Sequence, residues 1–488
     1  MDSDKKNEYS ATTKVVDTDS KPANADDARL AQLGHTQELN RQFSLVTLGA
    51  LCICLMGTWE ALSSVIATAL LSGGAPCLFY NLSAASFMTG WISVGGQIVL
   101  TSSAAFAAGL QMQALIVLNN DSYTSARWQG MLFYWAVLVY AMALNIWGSK
   151  LLPTANLLSG VLHIGGFFAI LIVLGVMAPK NTASFVFTEF VNSSGWDNDG
   201  VSWLVGLLSA VYPFLGYDAA CHLAEEMPNA SRNVPIAMIG SVAANGLMGL
   251  VYGTMLLFST SSLASLLETK TGFPFMQIFM DVTKSNAGAT VMSVVIIATA
   301  TAATVAGVTS TSRTLWAFAR DRATPYDEYL SKVNKSQQIP VRSVVLITVL
   351  QMLLGFIYLG NTTAFNAILS MAIIGMYASY MIPIIYMLIF GRKTLTRSDY
   401  GPFKLGPVLG PTLNIVSLVW IVVVVIFSTF PSAMPVTPQN MNYSVVVIAG
   451  WLLFGVIYYI GFAKNKFEVP LVGSQAITGV PIGEDSSC

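Results

Sequence analysis

Long apolar runs recur along nearly the whole of this 488-residue sequence. A bilayer's hydrocarbon core is about 30 Å thick and a helix rises about 1.5 Å per residue, so an apolar run of about 18 residues or more with few charges reads as a membrane-crossing helix. Within lipid each backbone donor and acceptor needs a partner from its own segment, and runs of this length satisfy that need only as helices. Hydropathy windows of about 19 residues place candidate spans near residues 43–72, 90–117, 130–149, 155–178, 201–224, 235–259, 289–314, 342–360, 364–390, 408–430 and 443–463. The expected fold class is therefore all-α, a polytopic membrane protein of about eleven spans. Residues 43–465 form its transmembrane domain, between a disordered cytosolic tail at 1–42 and a cytosolic C-terminal tail at 466–488.

Composition removes several function classes. Only 10% of residues are charged, against the roughly one-quarter typical of soluble domains. The net charge is −1 with no basic stripe, which leaves a nucleic-acid partner without electrostatic support. Cys52, Cys54, Cys77, Cys221 and Cys488 are scattered with no metal-ligand or disulfide spacing, so neither a metal nor a cofactor is expected. The opening MDSDKKNEYS has no apolar stretch and is not read as a cleaved signal.

Lys and Arg favour cytosolic loops. Arg320, Arg322, Lys332, Lys335 and Arg342 follow one span, and Arg392, Lys393, Arg397 and Lys404 follow another, whereas the loops around 360–363 and 431–442 hold neither residue type. The basic loops are inside, and counting back puts 179–200 outside, with Asn192-Ser193-Ser194 a chance-level glycan acceptor.

Two spans carry breaks beside a carboxylate. Gly57-Thr58-Trp59-Glu60 interrupts the first, and Tyr212-Pro213-Phe214-Leu215-Gly216-Tyr217-Asp218 the one at 201–224. An acidic residue at mid-membrane costs about 3 kcal/mol on insertion scales and needs a polar cavity or a partner. Unwound backbone is tolerated there only where it is buried in protein or lines a cavity, and its freed groups can hold a solute's charged ends. Each carboxylate has a plainer reading, neutralisation by one structural hydrogen bond. The two breaks together favour a solute site.

The run AEEMPNASRNVPIAM at 224–238 resembles the acidic-pair, basic, Val/Ile-Pro signature that closes the sixth span of the amino acid–polyamine–organocation superfamily. Arg313-Thr314-Leu315-Trp316-Ala317-Phe318-Ala319-Arg320-Asp321 with Pro325 resembles its run after the eighth span, and with GTWEA at 57–61 the likeness is to fungal amino acid and choline permeases, including GABA permeases. The resemblance implies a LeuT-like inverted-repeat fold and a proton-coupled secondary transporter of amino acids or related amines such as GABA or choline, not an enzyme. It sits in a lipid bilayer, expected to be the plasma membrane. Substrate-binding positions implied by motif are Gly57, Thr58, Trp59 and Glu60 at the first break and Phe214, Gly216, Tyr217 and Asp218 at the second.

His163, the only histidine deep in a predicted helix, is the candidate for proton coupling because imidazole titrates near neutral pH; a neutral histidine bonded to a carbonyl is the equal alternative. Glu225, Glu226, Arg313 and Arg320 are expected to form cytosolic gate ion pairs, or else simple topological anchors. Thr299, Thr301, Thr304 and Thr309 are read as bonding to carbonyls one turn back.

No HExxH motif or Ser-His pairing supports an enzyme. Two differently broken helices in one chain suit alternating access better than a channel, and a solute sensor on a permease scaffold lacks the long cytosolic extension expected of it. Parity raises one further expectation. A cytosolic N-tail sends 43–72 outward, yet the span beginning at Gly90 must start inside. The linker 73–89 carries Pro76, Asn81 and several serines, and as a helix it reaches only about 25 Å. The second of the family's usual twelve spans is therefore expected to be missing, as in a transport-impaired splice or gene-model variant.

Overall fold

The computed structural model of the chain describes residues 44–48, 83–261, 266, 268–360, 364–392, 405–438 and 440–467. Nearly all of the expected first span and its motif at 57–60, the tail at 1–42, and the C-terminal tail beyond residue 467 lie outside the described residues. Among those described, regular structure is helical, apart from one isolated bridge between Asn334 and Ile339.

Ten described helices are long and apolar enough to cross a bilayer: Phe87–Asn119, Arg127–Trp147, Ser149–Met177, Asp199–His222, Ala230–Phe258, Asn286–Arg320, Val341–Gly360, Ala367–Ile389, Leu409–Ser428 and Ser444–Gly461. They coincide with ten of the eleven apolar runs, so the chain is a multi-pass membrane protein. Exposed apolar side chains such as Val446, Leu453, Ile457 and Ile460 line the outer helix, the surface that lipid covers.

The central element is the 37-residue helix Ser83–Asn119, packed against Ala364–Tyr386, Asn286–Arg320 and Arg127–Trp147. It begins seven residues earlier than hydropathy places it, because serines and alanines dilute the apolar signal of its first turns without disfavouring helix. Its two ends fix its sense. Phe87 packs on Phe318 and Phe467 with ring centroids 5.6 and 5.9 Å away, and at the other end Asn119 donates to Thr290 over 2.8 Å. The helix thus runs antiparallel to Asn286–Arg320 and starts on the side where Arg320 lies.

Between membrane helices, close backbone approach replaces the hydrophobic drive available in water. Gly96 and Gly375 supply it here: a Cβ on Gly96 would lie 2.9 Å from the Gly375 carbonyl carbon, and one on Gly375 would lie 2.8 Å from Gly96 Cα. Backbone cannot yield as a flexible side chain can. Gly96→Val is expected to lower stability by about 1–3 kcal/mol, read as an earlier thermal melt of the purified protein in detergent. Trp91 and Trp451 then fasten the outer helix: their rings stack at 4.6 Å, and each indole donates to the other's carbonyl over 2.9 and 3.0 Å.

Candidate functional site

The span Asp199–His222 is broken where Pro and Gly predict. Helix Leu207–Val211 gives way to a 3-10 turn at Tyr212–Phe214, a non-helical turn at 215–218, and a short helix Ala219–His222. Pro213 withholds one backbone donor. Gly216 takes φ of +91°, a conformation open to glycine and strained for any residue with a Cβ. The Tyr212 hydroxyl lies 2.7 Å from Ser103 Oγ and ties the break to the central helix.

The break delivers Asp218 to a buried polar cluster. Its carboxylate Oδ2 lies 3.0 Å from His222 Nε2, one helical turn onward. It also accepts from the Gln97 side-chain amide over 3.4 Å, and Gln97 Nε2 contacts His222 Nε2 as well. The Gln97 carbonyl is occupied by Ser310 and Thr314, whose hydroxyls donate over 3.3 and 3.4 Å, so its NH2 group is turned toward the acid. The Tyr380 hydroxyl faces the same carboxylate, just outside hydrogen-bond geometry. A small polar cleft opens among Gln97, Thr101, Gly216, Asp218, Ser310 and Thr311, with room in this conformation for about one water molecule.

Phe214 and Tyr217 are fully buried at the break, and the Tyr217 ring lies tilted against Tyr380 with centroids 5.4 Å apart. Gly57, Thr58, Trp59 and Glu60 lie outside the described residues, so their distance from Asp218 is not defined here. His163 is fully buried on the Ser149–Met177 span and hydrogen-bonds the Asn245 side chain. A second histidine in a spanning segment, the partly buried His222, is the one on the acid. The signal was the Asp218/His222 spacing of four. Gln97, Ser310 and Thr314 carried no such signal, since only packing brings their helices to the break.

Arg313 and Glu226 meet as the sequence proposes, Nε to Oε1 at 2.8 Å, with side chains 2% and 1% exposed. Arg320 lies over the Trp316 ring at 4.6 Å, and the Glu225 side chain is outside what is described. Thr299, Thr301 and Thr304 each bond to the carbonyl four residues back, and Thr309 does so while also donating to Asn145 over 2.8 Å.

A bundle of membrane-spanning helices with a broken, acid-bearing helix opening on a small polar cavity defines a solute carrier. The chain belongs to the amino acid permease family, whose sequence profile matches residues 41–452. It is 30% identical to an uncharacterized amino-acid permease of Schizosaccharomyces pombe over 93% of this chain and 91% of that one. It is 31% identical to the choline transporter of Saccharomyces cerevisiae over 79% and 68%, and 27% identical to an amino-acid permease of Arabidopsis thaliana over 91% and 96%.

The lengths of these alignments differ in an informative way. The Schizosaccharomyces alignment runs over 504 positions while covering 93% of 488 residues, which leaves about 50 positions filled only by the relative, enough for a span of about 20 residues and its loops. The choline-transporter alignment, 386 positions over 79% of the chain, has no such surplus.

Proposed function

We propose that this sequence specifies a proton-coupled secondary transporter of a small amino acid or related amine in the plasma membrane, and that Asp218 receives the solute's positively charged nitrogen. The observation that carries the reading is a carboxylate only 7% exposed, set at a helix break and facing a small polar cleft. An acid held there at such cost needs a cationic partner. Permease and choline-transporter relatives support the same solute classes. Gly57, Thr58, Trp59 and Glu60 are assigned to the facing half of the site with Phe214, Gly216 and Tyr217, and Glu225, Glu226, Arg313 and Arg320 to the cytosolic gate.

A second proposal concerns the chain's completeness. Residues 83–89 belong to the same helix as 90–119, so only 73–82 remain to make the extra crossing that parity demands. Ten helical residues rise about 15 Å, half the hydrocarbon thickness. The alignment surplus of about 50 positions matches a missing span with its loops. The chain as it stands is thus a transport-impaired form of a permease.

Radiolabelled uptake of amino acids, choline and polyamines in a permease-deficient fungal host tests the function, using the chain with the missing stretch supplied from a relative. Saturable uptake that internal solute accelerates is expected; uptake of none of these compounds contradicts it. In that background His163→Ala is expected to lower proton-driven uptake at least several-fold while sparing solute exchange. Full pH dependence in the variant assigns coupling elsewhere.

A further inference from the structure

Asp218 Oδ2 lies 3.0 Å from His222 Nε2, and the Gln97 side-chain amide donates to the same oxygen. An imidazolium at His222 and the Asp218 carboxylate together make a neutral, opposite-charge pair. The other ionisable or charged groups nearby are accounted for. Tyr217 and Tyr380 stand beside Asp218, Arg313 on the neighbouring helix is taken by Glu226, and Arg232 on helix Ala230–Phe258 is exposed.

We infer that the Asp218–His222 pair opens to receive a zwitterion, with the solute's ammonium group on Asp218 and its carboxylate on protonated His222. This rests on the functional reading of Asp218 and adds the solute's second anchor. Pair and guest are each neutral and carry the same two charges, so inserting the guest exchanges one ion pair for two and leaves no charge unmatched. A bare amine takes Asp218 but strands the imidazolium, and a buried unpaired charge is strongly disfavoured. His222 is thereby the residue that selects amino acids over simple amines.

The test is equilibrium binding at pH 6 to protein in lipid nanodiscs, both this chain and the form carrying the relative's extra stretch. Glycine and 4-aminobutyrate are the zwitterionic probes, and choline is the cation lacking a carboxylate. Wild type is expected to prefer the zwitterions. His222→Leu is expected to lose at least tenfold in zwitterion affinity with choline affinity held or improved, and His222→Lys, which keeps a cation, to restore the preference. Thermal melts identify a variant that fails to fold, and His222→Gln then replaces it. A zwitterion-to-choline ratio unmoved by loss of the imidazole overturns this inference alone. Absence of binding by every probe to both wild-type forms overturns the functional reading and the inference with it.

Discussion

Arg313→Leu is expected to destabilise the protein by about 3–5 kcal/mol, the usual cost of stripping one partner from a buried ion pair. The reason lies in what remains. Glu226 is 1% exposed, its Oε1 accepts from Arg313 over 2.8 Å, and its Oε2 has no hydrogen-bond partner. Without the guanidinium the carboxylate is buried with neither oxygen answered, and it must take up a proton or drag its segment toward water. Arg313→Leu with Glu226→Leu removes both charges, and similar replacements elsewhere are near neutral, so the double variant is expected to recover most of the loss. Thermal melts of the wild type, both single variants and the double variant complete the cycle. Equal, additive losses would show that the pair contributes nothing as a pair and would remove the basis for placing it in a gate.

The second large effect concerns the crossing between residues 48 and 83. Phe87 packs with Phe318 and Phe467, so the central helix starts on the side that the Arg- and Lys-bearing loop after Arg320 marks as cytosolic. The first span expected from the sequence, entered from a cytosolic tail as proposed, would end on the other side. This chain is expected to give no uptake above that of empty host cells, and the chain carrying a relative's stretch of about 50 residues, long enough for one span with loops, to give robust uptake. Sequencing the transcript supplies the independent check, with the additional codons expected near residues 73–82. Robust uptake by the chain as it stands, from a transcript without those codons, contradicts this account.

How much was legible in the sequence varies with the range of the interaction. Spans were legible because each is set by its own run of apolar residues, and ten of them recur as helices within a few residues of their expected bounds. The break was legible because Pro213 and Gly216 act locally, the one through a missing donor and the other through a positive φ. The threonines were legible for the same reason, their hydroxyls finding carbonyls a single turn away. The true start of the central helix at Ser83 was not, since hydropathy weighs side chains and the serines there dilute it. Nor were the partners of Asp218. Gln97 lies 121 residues away in sequence and nothing about an isolated glutamine in an apolar helix announces a role. His222 is marked in the sequence only by its spacing of four from Asp218, whereas His163 lies deep within a longer helix.

Asp218 carries the central claim, and one substitution tests it. Asp218→Asn keeps the shape of the side chain and its hydrogen bonds to Gln97 while removing the charge that a solute's ammonium group requires. Losing a charge-assisted hydrogen bond of about 1.5–3 kcal/mol weakens binding by roughly 10- to 100-fold. The measurement is concentration-dependent uptake of the transported amino acid or amine in the permease-deficient host by the segment-restored chain, with and without Asp218→Asn, at matched surface expression. Saturable uptake by the unsubstituted form and its loss, or a rise of at least tenfold in half-saturation, in the variant is the expected result. Uptake by Asp218→Asn with unchanged half-saturation and rate would contradict the account.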